Sequence, residues 1–218
     1  MSFFLYLVRH GAVLNLDGRR YIGQFEAPLN ERGIEQAWAL RNWMDPVVFS
    51  AAYCSDLTRS QRTARIVIGQ RDIPLTTCPE LREISLGDWE GVSFREIAQR
   101  NPEAYAARGR DLEHWRPSQG ESFGDCRDRV LPAMHRLLEA ATGNVLMVGH
   151  AGVNRVILSS LLGIPIQNIM SIGQDYGCVN LIEFRDSDVR LRLLNYSPEQ
   201  SRPVPQVVPV KPVRRRAR

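Results

Sequence analysis

Apolar positions follow two rhythms along this chain, and the alternation between them marks out its elements. Short runs of β-prone residues at 3–8, 47–53 and 145–149 read as strands. Between them, Ile34, Ala37, Leu40 and Met44 recur at helical spacing, as do Val130, Met134, Leu137, Leu138 and Ala141. Asn30 and Ser122 stand where these two helices need caps, and Asp56 where a third, over 57–68, begins. Pro46 ends the first helix. Residues 73–76 predict a short extended piece ahead of 80–90. Residues 92–120 break the repeat, with short helical pieces at 94–100 and 102–108 and then a polar stretch ending at Gly120. A helix over 153–162 stops at Gly163-Ile164-Pro165, and 178–184 with 189–195 alternate as a closing, antiparallel strand pair. The order is β-α-β-α with a mostly helical excursion and a return to the sheet, which predicts the α/β class.

Two of these strands end on a glycine-flanked imidazole. Leu7-Val8 runs into Arg9-His10-Gly11, and Val148-Gly149 into His150-Ala151-Gly152. Placed side by side in a parallel sheet, both histidines emerge at its carboxyl edge, where open α/β sheets bind ligands. The chain has only 4 histidines, so this use of two of them points to chemistry.

Composition narrows the class. At 218 residues, 44% hydrophobic and 24% charged, the chain is long enough for one sizeable core and has a globular composition. No apolar run approaches the roughly 18 residues of a membrane span. The first residues lack a basic leader and a cleavage site, so they are expected to form a strand. The 4 cysteines form no Cys-x-x-Cys pair or metal spacing, read as small hydrophobes, and suit a reducing cytoplasm. The net charge of +4 is concentrated in the tail, where Arg202, Lys211, Arg214, Arg215, Arg216 and Arg218 face one acid, leaving the body close to neutral. Residues 1–197 are therefore expected to form one domain, with a cap at about 91–120, that does not bind nucleic acid through its folded part. Residues 198–218 read as a disordered Pro/Arg-rich tail of solvated charge, with a weak tether to polyanions as the alternative.

Further polar groups stand where strands meet helices. Arg59 falls in a first helical turn, where the dipole disfavours a cation unless an anion lies near. Glu83 precedes Gly87-Asp88-Trp89-Glu90-Gly91. Two imidazoles, Arg9, Arg59 and one carboxyl in a single cleft suit a phosphoryl group. Guanidinium forks match its oxygens, an imidazole can attack phosphorus, and a carboxyl can protonate the leaving oxygen. Local context alone does not separate Arg59 from Arg62 and Arg65, or Glu83 from Glu80 and Glu90. His135 reads as a surface residue, Trp89 as packing, and Trp38 and Trp43 as core or half-buried contacts.

With these motifs in hand, the chain resembles the histidine phosphatase superfamily, which is phosphoglycerate mutase-like, and most of all its α-ribazole phosphatase branch. The resemblance runs from Leu7-Val8-Arg9-His10-Gly11 through Gly23-Gln24, Pro28-Leu29-Asn30, Cys54-Ser55-Asp56-Leu57-x-Arg59-Ser60-x-x-Thr63-Ala64 and Leu81-x-Glu83. It continues through Gly87-x-Trp89-Glu90-Gly91 and Gly120-Glu121-Ser122 to Val148-Gly149-His150-Ala151-Gly152-Val153-x-Arg155. It implies a three-layer α/β/α sandwich with a mostly parallel central sheet and a small helical cap. It makes His10 the nucleophile that becomes phosphohistidine, with Arg9, Arg59 and His150 as the phosphate pocket and Glu83 as the proton donor. It adds Asn15 as a phosphate contact and places Gly23, Gln24 and Ala151 at the substrate. From their place in the chain, Arg19, Arg20 and Tyr21 are expected to face the substrate from the first loop, and His114 from the cap. The chain departs from the family at Ala12, where Glu is common, and in the spacing of Asn15. No metal or other cofactor is implied, and a homodimer is the family-level expectation.

Chemistry adds three demands. A nucleophilic imidazole should donate its other N–H to a backbone carbonyl, and two imidazoles among guanidiniums should resist protonation. Glu83, as a proton donor, should lie back from the arginines. Three functions suit these residues. The first is a cytoplasmic phosphomonoesterase for a small phosphorylated metabolite such as α-ribazole 5′-phosphate, an intermediate of cobalamin biosynthesis, for which Trp115, His114 and Tyr105 could offer a flat surface. The second is a cofactor-dependent phosphoglycerate mutase, which needs extra basic groups beyond the pocket. The third is a non-catalytic binding module.

Overall fold

In the computed structural model, which describes residues 2–14, 20–186 and 188–200, the two rhythms become three layers. The strands are β1 (Ser2–Arg9), β2 (Phe49–Cys54), β3 (Leu75–Thr77), β4 (Asn144–Gly149), β5 (Val179–Arg185) and β6 (Asp188–Tyr196). They form one sheet in the order β3-β2-β4-β1-β5-β6. The first four are mutually parallel, while β5 runs antiparallel to both β1 and β6. The helices are α1 (Glu31–Trp43), α2 (Thr58–Ile68), α3 (Phe94–Arg100), α4 (Pro102–Arg110), α5 (Phe123–Glu139) and α6 (Ala151–Leu162).

Strand periodicity divides the core. Leu5, Leu7, Val145 and Met147 face α5 and α6, meeting Val130, Met134, Val153 and Ile157. Tyr6, Val8, Leu146 and Val148 face the other way, onto Leu40 and Trp43 of α1 and Ala64 and Val67 of α2. Both faces are buried, which is why β1 and β4 read as continuous apolar runs. Each such side chain contributes about 1.5–3 kcal/mol on burial, so the register of β1 on β4 is strongly set. That register pairs Arg9 with Gly149 and brings the residues that follow, His10 and His150, out side by side.

Local signals account for most helix ends. The Asn30 side chain accepts from Gly33 N, and Ser122 forms a capping box with Asp125. Asp56 does not cap α2. It is drawn into a two-pronged pair with Arg82 at 2.6–2.7 Å, while the Glu26 carboxylate reaches the Thr58 backbone N–H at the helix start. A bidentate guanidinium contact outweighs a single capping bond here. Helix α6 begins at Ala151, two residues earlier than its apolar periodicity suggests, so His150 is its N-cap. Strand β2 covers Phe49–Cys54 rather than 47–53, and 80–90 folds as 3-10 turns at Pro79–Leu81 and Gly87–Trp89. Trp38 is 47% exposed, lying against Arg41 and outside the core that holds Trp43. All four cysteines are free and buried.

Helices α3 and α4 form the excursion and are fastened by aromatics. Trp89 lies 5.0 Å from Trp115, and Tyr21 lies 4.1 Å from Phe94. Among the described residues no helix is long and apolar enough to cross a membrane. Asn15, Arg19 and the tail from 201 onward lie outside the described residues.

Candidate active site

The loop leaving β1 is built for close approach. A Cβ on Gly11 would sit 2.2 Å from the Gly33 carbonyl oxygen, so the chain after His10 presses directly on the start of α1. His10 is 4% exposed, and its backbone N–H donates to Gly149 O at 3.1 Å. Its Nδ1 lies 2.8 Å from Gly11 O. A carbonyl can only accept, so Nδ1 carries the proton and Nε2 presents a lone pair.

The His150 ring stands 5.0 Å from that of His10, inclined at 60°, and is fully buried. Both imidazoles are held well below their usual pKa, first by burial and then by neighbouring charge. Arg59 and Arg9 act on His10. His10 itself, Arg59 and Arg9 act on His150. Two neutral rings thus face each other among cations.

Arg59 is 1% exposed and donates to Phe25 O at 2.8 Å and Gly23 O at 2.6 Å. Its Nε is buried without a partner, and among the described residues no carboxylate lies within ion-pair distance. Burial lowers its pKa, against the fields of Glu83 and Glu26. Arg9 donates to Gln174 O at 2.6 Å, stacks 3.7 Å from the Tyr176 ring centroid, and also has an unpartnered buried Nε. A buried guanidinium without a counter-ion is costly, and an anion bound between these two would relieve that cost.

Glu83 sits on the connection ahead of the second 3-10 turn. Its Oε1 accepts from Ile84 N at 3.0 Å, Gly152 N at 3.0 Å and Val153 N at 3.3 Å, so it also satisfies the start of α6. Oε2 takes only the longer contact from Gly152 N, at 3.2 Å. No arginine among the described residues forms an ion pair with Glu83, although its charge is felt by both Arg59 and Arg108. Gln24 ties the Glu83 carbonyl from behind at 3.0 Å, and Gly23 O holds Arg59.

Other residues singled out from the sequence have different surroundings. Tyr21 is buried between Trp89 and Phe94, and burial pushes its hydroxyl pKa up to about 12. Arg20 donates to Gly91 O at 2.8 Å, tying the first loop to the cap. Ala151 opens α6 beside His150. The His114 side chain is 76% exposed and pairs with Asp111.

Four residues at or near the site went unassigned from the sequence. Ser55 Oγ lies 2.7 Å from His150 Nε2. Gln174 and Tyr176 hold Arg9. They precede β5, and because β5 is antiparallel its beginning lies at the edge where β1 ends. The only sequence signal was the polar run Gly173-Gln174-Asp175-Tyr176-Gly177. Arg108 of α4 is 9% exposed, with a buried unpartnered Nη1, and feels the Glu83 charge.

Fold and site together define a phosphoryl-transfer enzyme of the two-histidine kind, and the chain belongs to the histidine phosphatase superfamily (branch 1), whose family model matches residues 5–197. It is a metal-independent phosphatase acting on a small phosphorylated metabolite. Among the described residues no group of three or more His, Cys, Asp or Glu could hold a metal ion. Its relatives include the adenosylcobalamin/α-ribazole phosphatase of Escherichia coli K12, 38% identical over 193 residues (88% of this chain, 95% of that protein). The glucosyl-3-phosphoglycerate phosphatase of Mycolicibacterium vanbaalenii is 34% identical, over 78% of each chain. The crystal structure of α-ribazole phosphatase from Shigella flexneri superposes with a TM-score of 0.81 at 37% identity, covering 89% of this chain and 97% of that one.

Proposed function

We propose that this protein hydrolyses a phosphomonoester in two displacements at His10, with α-ribazole 5′-phosphate as its substrate. The observation that carries the chemistry is the tautomer of His10. Its Nδ1–H is committed to Gly11 O, so Nε2 offers a lone pair beside two guanidiniums that lack a counter-ion. Nε2 attacks phosphorus as the bond to the leaving oxygen breaks, and Glu83 gives that oxygen its proton. Water then attacks the phosphohistidine and passes a proton to Glu83. The P–N bond breaks, and its electron pair returns to Nε2. Oε2 is the oxygen with capacity for that proton, because Oε1 already accepts three N–H groups. Arg9, Arg59 and His150 offset the charge on the equatorial oxygens. Gly23, Gln24 and Ala151 frame the substrate.

The α-ribazole reading rests on the likeness to α-ribazole phosphatases over nearly their whole length. Against a mutase, which needs several extra basic groups, Arg100 and Arg116 of the cap are already paired with Glu96 and Asp125, and Arg108, with its unpartnered Nη1, adds one cation that feels the Glu83 charge. The test is a phosphate-release screen over phosphorylated metabolites that includes α-ribazole 5′-phosphate, ranked by kcat/KM, with rapid-quench trapping of acid-labile phosphate on the protein. His10→Ala is expected to abolish both turnover and trapped phosphate. A leading rank for another metabolite overturns the substrate. Fast interconversion of 3- and 2-phosphoglycerate from a bisphosphoglycerate primer, without phosphate release, overturns hydrolysis.

A further inference from the structure

Neutral imidazole has one N–H, so its two nitrogens cannot both donate. At His10 the question is closed by a carbonyl. At His150 the partner is a hydroxyl, Ser55 Oγ at 2.7 Å from Nε2, which can either give or accept a proton. The surroundings of Ser55 decide which.

Ser55 is fully buried. Its Oγ already accepts the Leu57 backbone N–H, at 3.4 Å, and its own N–H is taken by Ser60 Oγ at 3.2 Å. Ser60 Oγ in turn donates to Val148 O at 2.7 Å, at the end of β4. His150 Nε2 is thus the one acceptor within reach of the Ser55 hydroxyl proton among the described residues. If Nε2 carried the imidazole proton, the hydroxyl hydrogen would be sealed in the protein with no acceptor, an arrangement native interiors avoid. The remaining ring nitrogen, Nδ1, is buried without a partner, on a ring whose neighbour is His10.

We propose that Ser55 is a positioning residue that fixes His150 as its Nδ1–H tautomer, so that the second imidazole offers a hydrogen-bond donor to the phosphoryl oxygens while the first offers a lone pair to phosphorus. The proposal rests on the phosphoryl group lying between the two rings, as in the function above. With the opposite tautomer, His150 would aim a lone pair at an anionic oxygen. The turn from β2 into α2 thereby performs two tasks: Arg59, in the first turn of the helix, supplies charge, and Ser55, four residues earlier, sets the polarity of a ring across the sheet edge.

The experiment has two arms that fail independently. In the first, the protein without substrate is labelled with 15N-histidine, and the ring nitrogens of His150 are assigned by comparison with His150→Gln. The expected result is a protonated Nδ1 and an unprotonated Nε2 in the wild type and in Ser55→Thr, and a shift toward protonated Nε2 in Ser55→Ala. A protonated Nε2 in the wild type, or a tautomer unchanged in Ser55→Ala, overturns the proposal whatever the enzyme turns over.

In the second arm, Ser55→Ala is expected to lower kcat/KM by about 10–10²-fold, the worth of one hydrogen bond to a charged group. The loss should be equal for alkyl and aryl phosphates, because both have the same equatorial oxygens. Orthovanadate binding should weaken by the same factor, and Ser55→Thr should restore both. A loss of thermal stability with vanadate affinity intact assigns Ser55 a structural role only and overturns the proposal. Absence of any phosphohistidine in the wild type overturns the catalytic reading instead, and leaves the tautomer result standing.

Discussion

The two sides of the pocket are built differently. The proposed phosphate side, with Arg9, His10, Arg59 and His150, stands on the ends of β1 and β4 and the first turn of α2, and its two imidazoles and Arg59 are almost wholly buried. The proposed leaving-group side is a connecting loop with Glu83, backed by Gln24 and continuing to Trp89, whose ring packs on Trp115. The first side rests on strands whose register is set by the core. The second depends on a few backbone hydrogen bonds, above all those from the start of α6 to Glu83. A phosphoryl group is the same in every substrate, whereas the leaving group is not, so rigidity belongs on one side and variation on the other.

The strongest test of this division is Glu83→Gln. It should lower kcat/KM for an alkyl phosphate by about 10²–10⁴-fold, the usual worth of a positioned acid. An aryl ester such as p-nitrophenyl phosphate leaves without much protonation and should suffer far less. Equal losses for both esters would remove Glu83 from the leaving-group role, with Glu80, Asp88 and Glu90 next to be tested.

The buried side carries a pH signature in stability. Folded His10 and His150 have pKa values well below the 6.5 of a free imidazole, chiefly through burial. Below about pH 6.5 the unfolded chain binds protons that the folded protein refuses. Their contribution is therefore fully present above that pH and is lost progressively as pH falls from there toward the lower folded values. Urea-unfolding free energies between about pH 7 and pH 5.5 should approach a slope of about 1.4 kcal/mol per pH unit for each imidazole. The His10→Gln/His150→Gln double variant should flatten the curve in this window. The carboxylates held low by arginine, Asp56 and Asp125, add their losses only at lower pH. A wild-type curve with the same slope as the double variant would mean that the rings are not buried neutral.

Gly152→Ala probes the joint between the sides. A Cβ there would lie 2.5 Å from Glu83 Oε1, so the carboxyl must move away from the α6 N–H groups. A displacement of this size at a proton donor can cost up to about 10²-fold. The loss should again fall on alkyl esters, with p-nitrophenyl phosphate turnover and vanadate binding close to wild type. Weakened vanadate binding would show that the two sides are not separable.

The same division governs what could be read from the chain. The phosphate side was legible because strand-end histidines and a first-turn arginine leave local patterns, and the collinear motifs tied them together. Asn30 and Ser122 were legible as caps because capping is a contact over three residues. Asp56 departs from the expected cap because its pairing with Arg82 depends on a partner 26 residues away. Gln174, Tyr176 and Arg108 were missed because antiparallel β5 and the fold of the cap bring them in from afar. Tyr21, expected at the substrate from its place in the first loop, instead packs its ring between Trp89 and Phe94, contacts that sequence distance hides.

The smallest expected effect concerns His114, the cap residue that sequence placed over the pocket. It is next to Trp115, whose ring packs 5.0 Å from that of Trp89, but the two point to different fates. The His114 side chain is 76% exposed, and its backbone N–H and ring nitrogen both engage Asp111 Oδ1, at 3.0 and 3.1 Å. That arrangement finishes α4 and leaves the imidazole in solvent. An exposed pair of this kind contributes little, so His114→Ala should change stability by no more than about 0.5 kcal/mol. By the same reasoning kcat/KM for the best metabolite should stay within about twofold of wild type, since an uncontacted surface substitution shifts binding by a comparable amount. If His114→Ala instead raised KM for that metabolite while leaving p-nitrophenyl phosphate unchanged, the cap would have to close far enough to bring this ring onto the leaving group. The leaving-group side would then be assembled by substrate rather than standing open beside a finished phosphate pocket.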